Sequence, residues 1–262
     1  MKKNILKLVS AGLIAVMTMG LVACGGKASE AKTFTVGFDA NFPPYGYQDN
    51  GEYVGFDIDL AKEVASRKGW NIQLKAIDWD SKDLELNSGT IDCIWNGFTM
   101  NGREDKYTWT KPYVDNSQVF VVAKDSGISS FADLAGKAIV VQAASSALDA
   151  LNDEDAKDLK ASFGNLVEVP DYNTAFMNLE AGAVNAVAMD IGVAKYQIAS
   201  RGDKFVMLEQ PIVTEQYAIG FKLGNTALKD EVETTLLEMV KDGKFGEIAS
   251  KWDLTDSVAL GK

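Results

Sequence analysis

From residue 34 onward the apolar positions of the chain switch between strand-like and helix-like spacing. "FTVGFD" (34–39) reads as a strand running into the loop "ANFPPYGYQDNG", where Pro43 and Pro44 make the backbone stiff and non-helical. "GFDIDLAKEVASRKGW" then carries helical punctuation. Asp57 and Asp59 fall in its first turn, Glu63 faces Arg67 four residues on, and Gly69 follows Arg67 and Lys68 as a stop. "NIQLKAI" returns to alternation through Ile72 and Leu74. Strand, helix, strand in this order predicts a parallel α/β sheet.

The second half repeats the scheme. "KAIVVQ" reads as a strand, "AASSALDAL" as a loop entering a helix with Ser145 or Ser146 as N-cap, "NLVEV" as a strand and "NTAFMNLEAG" as a helix. The tail from Asn225 to Trp252 is helical, with Val232, Leu236 and Val240 on one stripe and Gly243 as a break. A weak internal repeat ties the halves together. "LNSGTIDCIWNG" from Leu86 and "LEAGAVNAVAMD" from Leu179 share the pattern L-x-x-G-x-[IV]-[DN]-x-[IV], a helix end, a glycine stop and a short buried strand. If the two are equivalent, Asn96–Gly97 and Met189–Asp190 stand at matching strand ends. Open α/β sheets bind ligands beyond the carboxyl ends of their strands. Two such ends can face each other across a cleft.

The first residues do not belong to that body. Lys2, Lys3 and Lys7 precede the uncharged run "LVSAGLIAVMTMGLVA", and small residues surround Cys24, which reads as a secretory signal over 1–23 rather than a membrane span. "GGKASEAK" suits a flexible tether over 24–32. With the signal removed, 23 basic residues stand against 37 acidic ones, moving the net charge from −11 to −14. That balance disfavours nucleic acid or an anionic membrane surface as partner. The chain has no histidine, which removes the commonest general base, and it carries no phosphate-loop or dinucleotide glycine pattern. Cys93 is the one cysteine left, so neither an intramolecular disulfide nor a zinc site is expected, and it reads as a small buried hydrophobe. No cofactor or metal is called for.

"NGFTMNGRED" (96–105) holds an arginine in a turn of small polar residues. It reads either as a solvated loop whose Arg103 pairs with Glu104 or Asp105, or as a pocket for a small anion.

Taken in order, "DANFPPYGY", "GEYVGFDIDLAKEVA", "NGFTMNGREDKYTWTKPY", "LAGKAIVVQAASS", "AVAMD", "QYAIGF" and "GKFGEIASKW" resemble the polar amino-acid family of bacterial extracellular solute-binding proteins, receptors of ABC importers. "LVAC" (21–24) resembles the bacterial lipobox. The resemblance implies a two-lobed α/β fold of the periplasmic-binding-protein type II, with a ligand cleft between lobes joined by two hinge crossings. Lobe 1 would comprise 33–114 and 218–262, lobe 2 118–213, with hinges near 115–117 and 214–217. It also implies a monomer tethered by lipid on Cys24 to the outer face of the cell membrane, in a Gram-positive bacterium, and a permease partner.

Similarity to the family further implies the site. Arg103 would meet an α-carboxylate with its planar fork, helped by Thr99, by donors around Gly97 and by Ser145 at a helix start. Asp190, from the other lobe, would take the ammonium; its alternative role is a helix N-cap. Asn96, Phe98 and Gln142 match pocket-lining positions. Phe42 and Trp79 match positions that sandwich the ligand side chain, or else are core aromatics. Asp39 would reach the distal end, favouring a basic or amide-bearing L-amino acid, with cystine also possible. One departure stands out: Thr99 to Arg103 is four steps where the family commonly has five. The alternatives to an importer receptor are a dehydratase-like enzyme on the same fold and a ligand-sensing lipoprotein without a transporter.

Overall fold

Phe34, Val36 and Phe38 are fully buried along β1 (Thr33–Phe38), the alternation that makes this segment a strand against a core. The computed structural model describes Ala31–Lys262. The expected signal (1–23), Cys24 and the tether up to residue 30 lie outside the described residues.

After β1 come a small three-stranded sheet, β2 (Asn41–Phe42), β3 (Gly46–Asp49) and β4 (Glu52–Val54), then α1 (Phe56–Lys68) and β5 (Asn71–Ala76). α2 (Lys82–Ser88), β6 (Cys93–Ile94) and β7 (Tyr107–Trp109) follow. The α1 punctuation is as the sequence predicts: Arg67 pairs with Glu63 at 2.7 Å, and Gly69 closes the helix in the left-handed region at φ 66°. β8 (Val114–Ala123) leads to a second body of β9 (Ala138–Gln142), α3 (Ser146–Asn152), α4 (Lys157–Ser162), β10 (Asn165–Val169) and α5 (Tyr172–Glu180). Next are β11 (Ala186–Asp190), α6 (Ile191–Arg201), β12 (Phe205–Met207) and β13 (Val213–Tyr217). The chain ends through β14 (Gly220–Lys222), α7 (Thr226–Lys241) and α8 (Lys244–Lys251).

Two sheets result. The first runs β5-β1-β6-β14-β7 and the second β10-β9-β11-β8-β12, with β13 also on β8. β8 and β13 lie antiparallel, from Val114 opposite Tyr217 to Gln118 opposite Val213, and carry the chain from one sheet to the other and back. The residues read as hinges fall inside this ladder. The fold is the two-lobed type expected.

The internal repeat is a structural equivalence. β6 lies parallel to β1, as β11 lies parallel to β9, so each repeat supplies a central strand of its own sheet. The shared [DN] position makes the same pair of bonds in both. Asp92 accepts the Thr35 N–H at 2.7 Å and donates its own N–H to the Thr35 carbonyl. Asn185 does the same with Ala138, accepting its N–H at 2.9 Å. A side-chain acceptor here satisfies a strand N–H that the short ladder leaves free.

One stripe differs from its reading. In α7 the buried face is Leu228, Val232, Leu236 and Met239, whereas Val240 is only half-buried. Met239 follows Leu236 at helical spacing on the same face, which leaves Val240 at the edge of the stripe, partly buried against the core.

Candidate functional site

The turn 96–103 leaves β6 between the sheets and is fixed by backbone geometry. Gly97 adopts φ 55°, and a Cβ there would lie 2.9 Å from the rings of both Phe42 and Tyr217. Only glycine combines that conformation with that approach. Its N–H donates to the Asp57 carboxylate at 2.6 Å, which also takes the Tyr113 hydroxyl at 2.9 Å. Asp57 is fully buried, and desolvation pushes its carboxyl up to about 7. The acidic "GFDID" position therefore pins the turn rather than simply facing a helix dipole. It also commits the Gly97 N–H, which was expected to help a ligand anion.

The shortened Thr99–Arg103 step is a four-residue turn closed by Arg103 N–H to Met100 C=O at 3.0 Å. Gly102 supplies the positive φ of 75° that a type II turn requires at its third position. Asn101 clamps the turn to β13 by accepting the Gln216 N–H at 2.7 Å. Arg103 pairs with neither Glu104 nor Asp105. Its guanidinium lies over the Phe98 ring at 5.3 Å and bonds the Thr99 carbonyl at 3.2 Å and Asp149 of α3, in the second body, at 2.6 Å. Phe98, expected to line the pocket, is instead fully buried in a cluster with Trp79, Tyr107 and Trp109 and is absent from the cavity wall, so it supports Arg103 from beneath.

The predicted residues divide into two groups. Asp39 and Trp79 line a cavity of about 580 Å³ together with Asn41, Asp78, Asp80 and Asp171. Five carboxylates, with Glu85, border it, and no lysine or arginine does. Asp39 accepts the Asn41 N–H at 2.8 Å and, across the cleft, Gln142 Nε2 at 2.8 Å. Burial pushes its carboxyl up to about 6, with Asp171 and Asp78 adding repulsion. Asn96 holds the Asp39 backbone N–H at 2.9 Å from its side-chain oxygen, while its buried Nδ2 has no partner. Phe42 is buried between Tyr45 and Tyr172.

The second group packs on the crossing strands. Asp190 ends β11 and precedes α6, yet its side chain makes no cap bond. It accepts instead from Gln118 Nε2 at 2.7 Å, Asn116 Nδ2 at 3.0 Å, the Tyr172 hydroxyl at 3.3 Å and the Tyr217 hydroxyl. Burial raises its carboxyl despite those donors. Ser145 is the N-cap of α3, accepting from Leu148 N–H at 3.2 Å and donating to the Gln142 carbonyl, so its hydroxyl is committed within its own lobe. The hydroxyl that crosses the cleft is that of Ser146, 2.9 Å from Thr99.

Sequence reasoning missed Ser146, Glu215, Asn116, Gln118 and Lys82. Lys82 is buried, lies over the Trp79 ring at 5.0 Å and donates to the Ala144 carbonyl across the cleft at 3.1 Å, with desolvation lowering its ammonium to about 8. Asn116 and Gln118 had a visible signal: two amides at alternate positions leading into the apolar run "VFVV". Glu215 had none beyond its place before "QYAIGF".

The family model for bacterial extracellular solute-binding proteins, family 3, matches residues 34–255. The chain belongs to that family. It is similar to the arginine-binding extracellular protein ArtP of Bacillus subtilis, 29% identical with 96% of this chain and 98% of that protein covered. The ABC transporter glutamine-binding protein GlnH of the same organism is also 29% identical, covering 95% of this chain and 97% of GlnH. Among solved structures, an ABC uptake transporter substrate-binding protein from Streptococcus pneumoniae with bound histidine aligns with a TM-score of 0.81 and 34% identity, over 84% of this chain and 92% of that one. The family is described as one of solute-binding proteins and these relatives are substrate-binding proteins of ABC transporters, so the chain stands with binding proteins and not with the dehydratase-like alternative. Among the described residues no helix is long and apolar enough to cross a membrane.

Proposed function

We propose that this family member is a receptor that binds a basic or amide-bearing L-amino acid between lobe 1 (33–114 and 218–262) and lobe 2 (118–213) and delivers it to an ABC permease. The acidic, tryptophan-walled cavity carries the reading: five carboxylates border it and of these Glu85 is paired with Lys75, so a guanidinium, ammonium or imidazolium gains charge pairing with the four aspartates beside the Trp79 wall. An acidic side chain is repelled there. The relatives support the same range, since their names specify arginine, glutamine and histidine.

At the other end Asp190 takes the ammonium and Arg103 the carboxylate. The Asp149 partner of Arg103 is 64% exposed, so their ion pair is weak and the guanidinium is free to turn to a ligand. One ligand touching Thr99 and Arg103 on one side and Asp190 and Ser146 on the other favours the arrangement in which both lobes meet it. Lipidation at Cys24 would hold the receptor at the outer face of the membrane, and one copy suffices for the site.

Calorimetric titration of the purified protein with L-arginine, L-histidine, L-glutamine, L-cystine and L-glutamate tests the reading. Binding of at least one of the first four, with L-glutamate the weakest, is expected; heat from none of them would sink it.

A further inference from the structure

Acceptors outnumber donors around Asp190. Glu215, on β13 directly opposite Asn116 of β8, is 6% exposed. Its Oε1 takes Thr99 Oγ1, Asn116 Nδ2 and Gln118 Nε2, each at 2.7 Å. The same two amide nitrogens already serve Asp190 Oδ1, and Gln118 Nε2 lies 3.1 Å from Ser146 Oγ as well. An amide nitrogen has two hydrogens, so Gln118 is asked for more than it holds. The carbonyl oxygens of Asn116 and Gln118 meanwhile have no donor, although both residues are almost wholly buried. Two buried carboxylates and two unmet amide oxygens, with no cation among the bonded partners, form a site short of N–H donors and positive charge.

We propose that Glu215 is a ligand-binding residue, which with Asp190 forms a two-carboxylate seat for the α-ammonium group of the amino acid; this rests on the amino-acid reading above. An ammonium brings three N–H donors and one positive charge, which is what the site lacks. Because one nitrogen of Gln118 touches both carboxylates, a single ammonium in its place of approach reaches both. Such a seat selects a free primary α-amine and disfavours N-acylated and desamino analogues, which leave the two buried carboxyl groups without a cation and short of N–H donors. The charges around it are consistent. Tyr172 of α5 and Tyr217 of β13 contact Asp190 as neutral hydroxyls, burial raising both. Asp115, Lys195 and Asp256 border a hollow against Glu215 on one side, Asp149, Asp153 and Asp155 on the other. Arg103 reaches the group only through the Thr99 carbonyl. Burial, with Asp190 beside it, pushes the Glu215 carboxyl up, and an arriving ammonium would favour its charged form and so release protons.

The test is titration calorimetry of the full chain and of Glu215→Gln and Glu215→Asp with L-arginine and L-glutamine as probes, at pH 7 in two buffers of different ionisation enthalpy. Glu215→Gln should weaken whichever probe the wild type binds by at least about tenfold and lower the number of protons released, while Glu215→Asp keeps most of the affinity. The fold is checked in the unliganded protein. A carboxyl raised on folding contributes stability that is complete below pH 4.5 and lost as pH rises through about 7, so Glu215→Gln should melt no lower than wild type at pH 8. Unchanged affinity or an unchanged proton count in Glu215→Gln overturns the proposal. So does a lower melting temperature at pH 8 with both variants equally weak, which assigns Glu215 to the fold. A wild type that binds none of L-arginine, L-glutamine, L-histidine or L-cystine overturns the amino-acid reading itself, at a step before any variant is made.

Discussion

The two ends of the cleft are built on opposite principles. At the cavity end, Asp39, Asp78, Asp80 and Asp171 surround about 580 Å³ with few bonds among themselves, so in the proposed function charge and an aromatic wall would do the selecting. At the other end Asn116, Gln118 and Glu215 of the two crossing strands are locked by short hydrogen bonds to one another and to Thr99, Ser146 and Asp190 around them. An open acidic cavity tolerates a range of cationic or amide side chains. A dense hydrogen-bonded cluster reads one head group, because every unmet donor or acceptor is buried and therefore costly. Variation in specificity belongs to the first end and invariance of chemistry to the second.

The head-group end should give the largest effects. Asp190→Ala and Arg103→Ala are each expected to weaken L-amino-acid binding by about a hundredfold or more, since the second leaves the ligand carboxylate without its cation and the first leaves the ammonium with Glu215 alone. Titration calorimetry reads this directly, and wild-type affinity in either variant would remove that residue from the site. Arg103→Ala should leave the fold intact, because its ion pair is with a largely exposed aspartate.

Gly97 joins the two ends, with Phe42 on one side and Tyr217 on the other. Gly97→Ala forces an alanine to φ 55° and drives a methyl to 2.9 Å from both rings, so a loss of about 2 kcal/mol is expected. Thermal melting should fall by several degrees. An unchanged midpoint would mean that the turn is not held by this approach.

The cavity end should respond more gently and according to ligand. Asp39→Asn is expected to cost L-arginine about tenfold and L-glutamine little, because a neutral amide needs no counter-charge. The pH sign follows from the raised carboxyl. In the free protein its stabilising contribution is complete below about 3.8 and lost as pH rises through about 6, where the carboxylate becomes charged and lacks a cation. A cationic ligand supplies that cation, so L-arginine affinity should hold above neutrality and fall as pH drops through about 6. Asp39→Asn should flatten that profile; parallel profiles for the two proteins would detach Asp39 from the side-chain end.

Much of the fold was legible because its signals are local. Alternation marked β1 and β5, Gly69 and the Glu63–Arg67 pair marked α1, and the L-x-x-G-x-[IV]-[DN] pattern marked two central strands whose [DN] side chains make matching bonds. The site was legible only in part. Asp39, Trp79, Arg103 and Asp190 stand out by residue type and context, but what each touches depends on chain segments far away. Asp149 lies 46 residues from Arg103, and Glu215 lies 116 from Thr99.

The sequence by itself determined the order of elements, the shortened turn with its glycine, the surplus of acid and the candidate charges, since all of these follow from neighbours along the chain. Only the tertiary structure decided that Asp57 holds Gly97, that Ser146 rather than Ser145 crosses the cleft, and that Glu215 joins Asp190. The reason is physical: burial, shared donors and the pairing of two crossing strands are properties of the packed chain, and a carboxylate's role is set by how many donors reach it once water has gone.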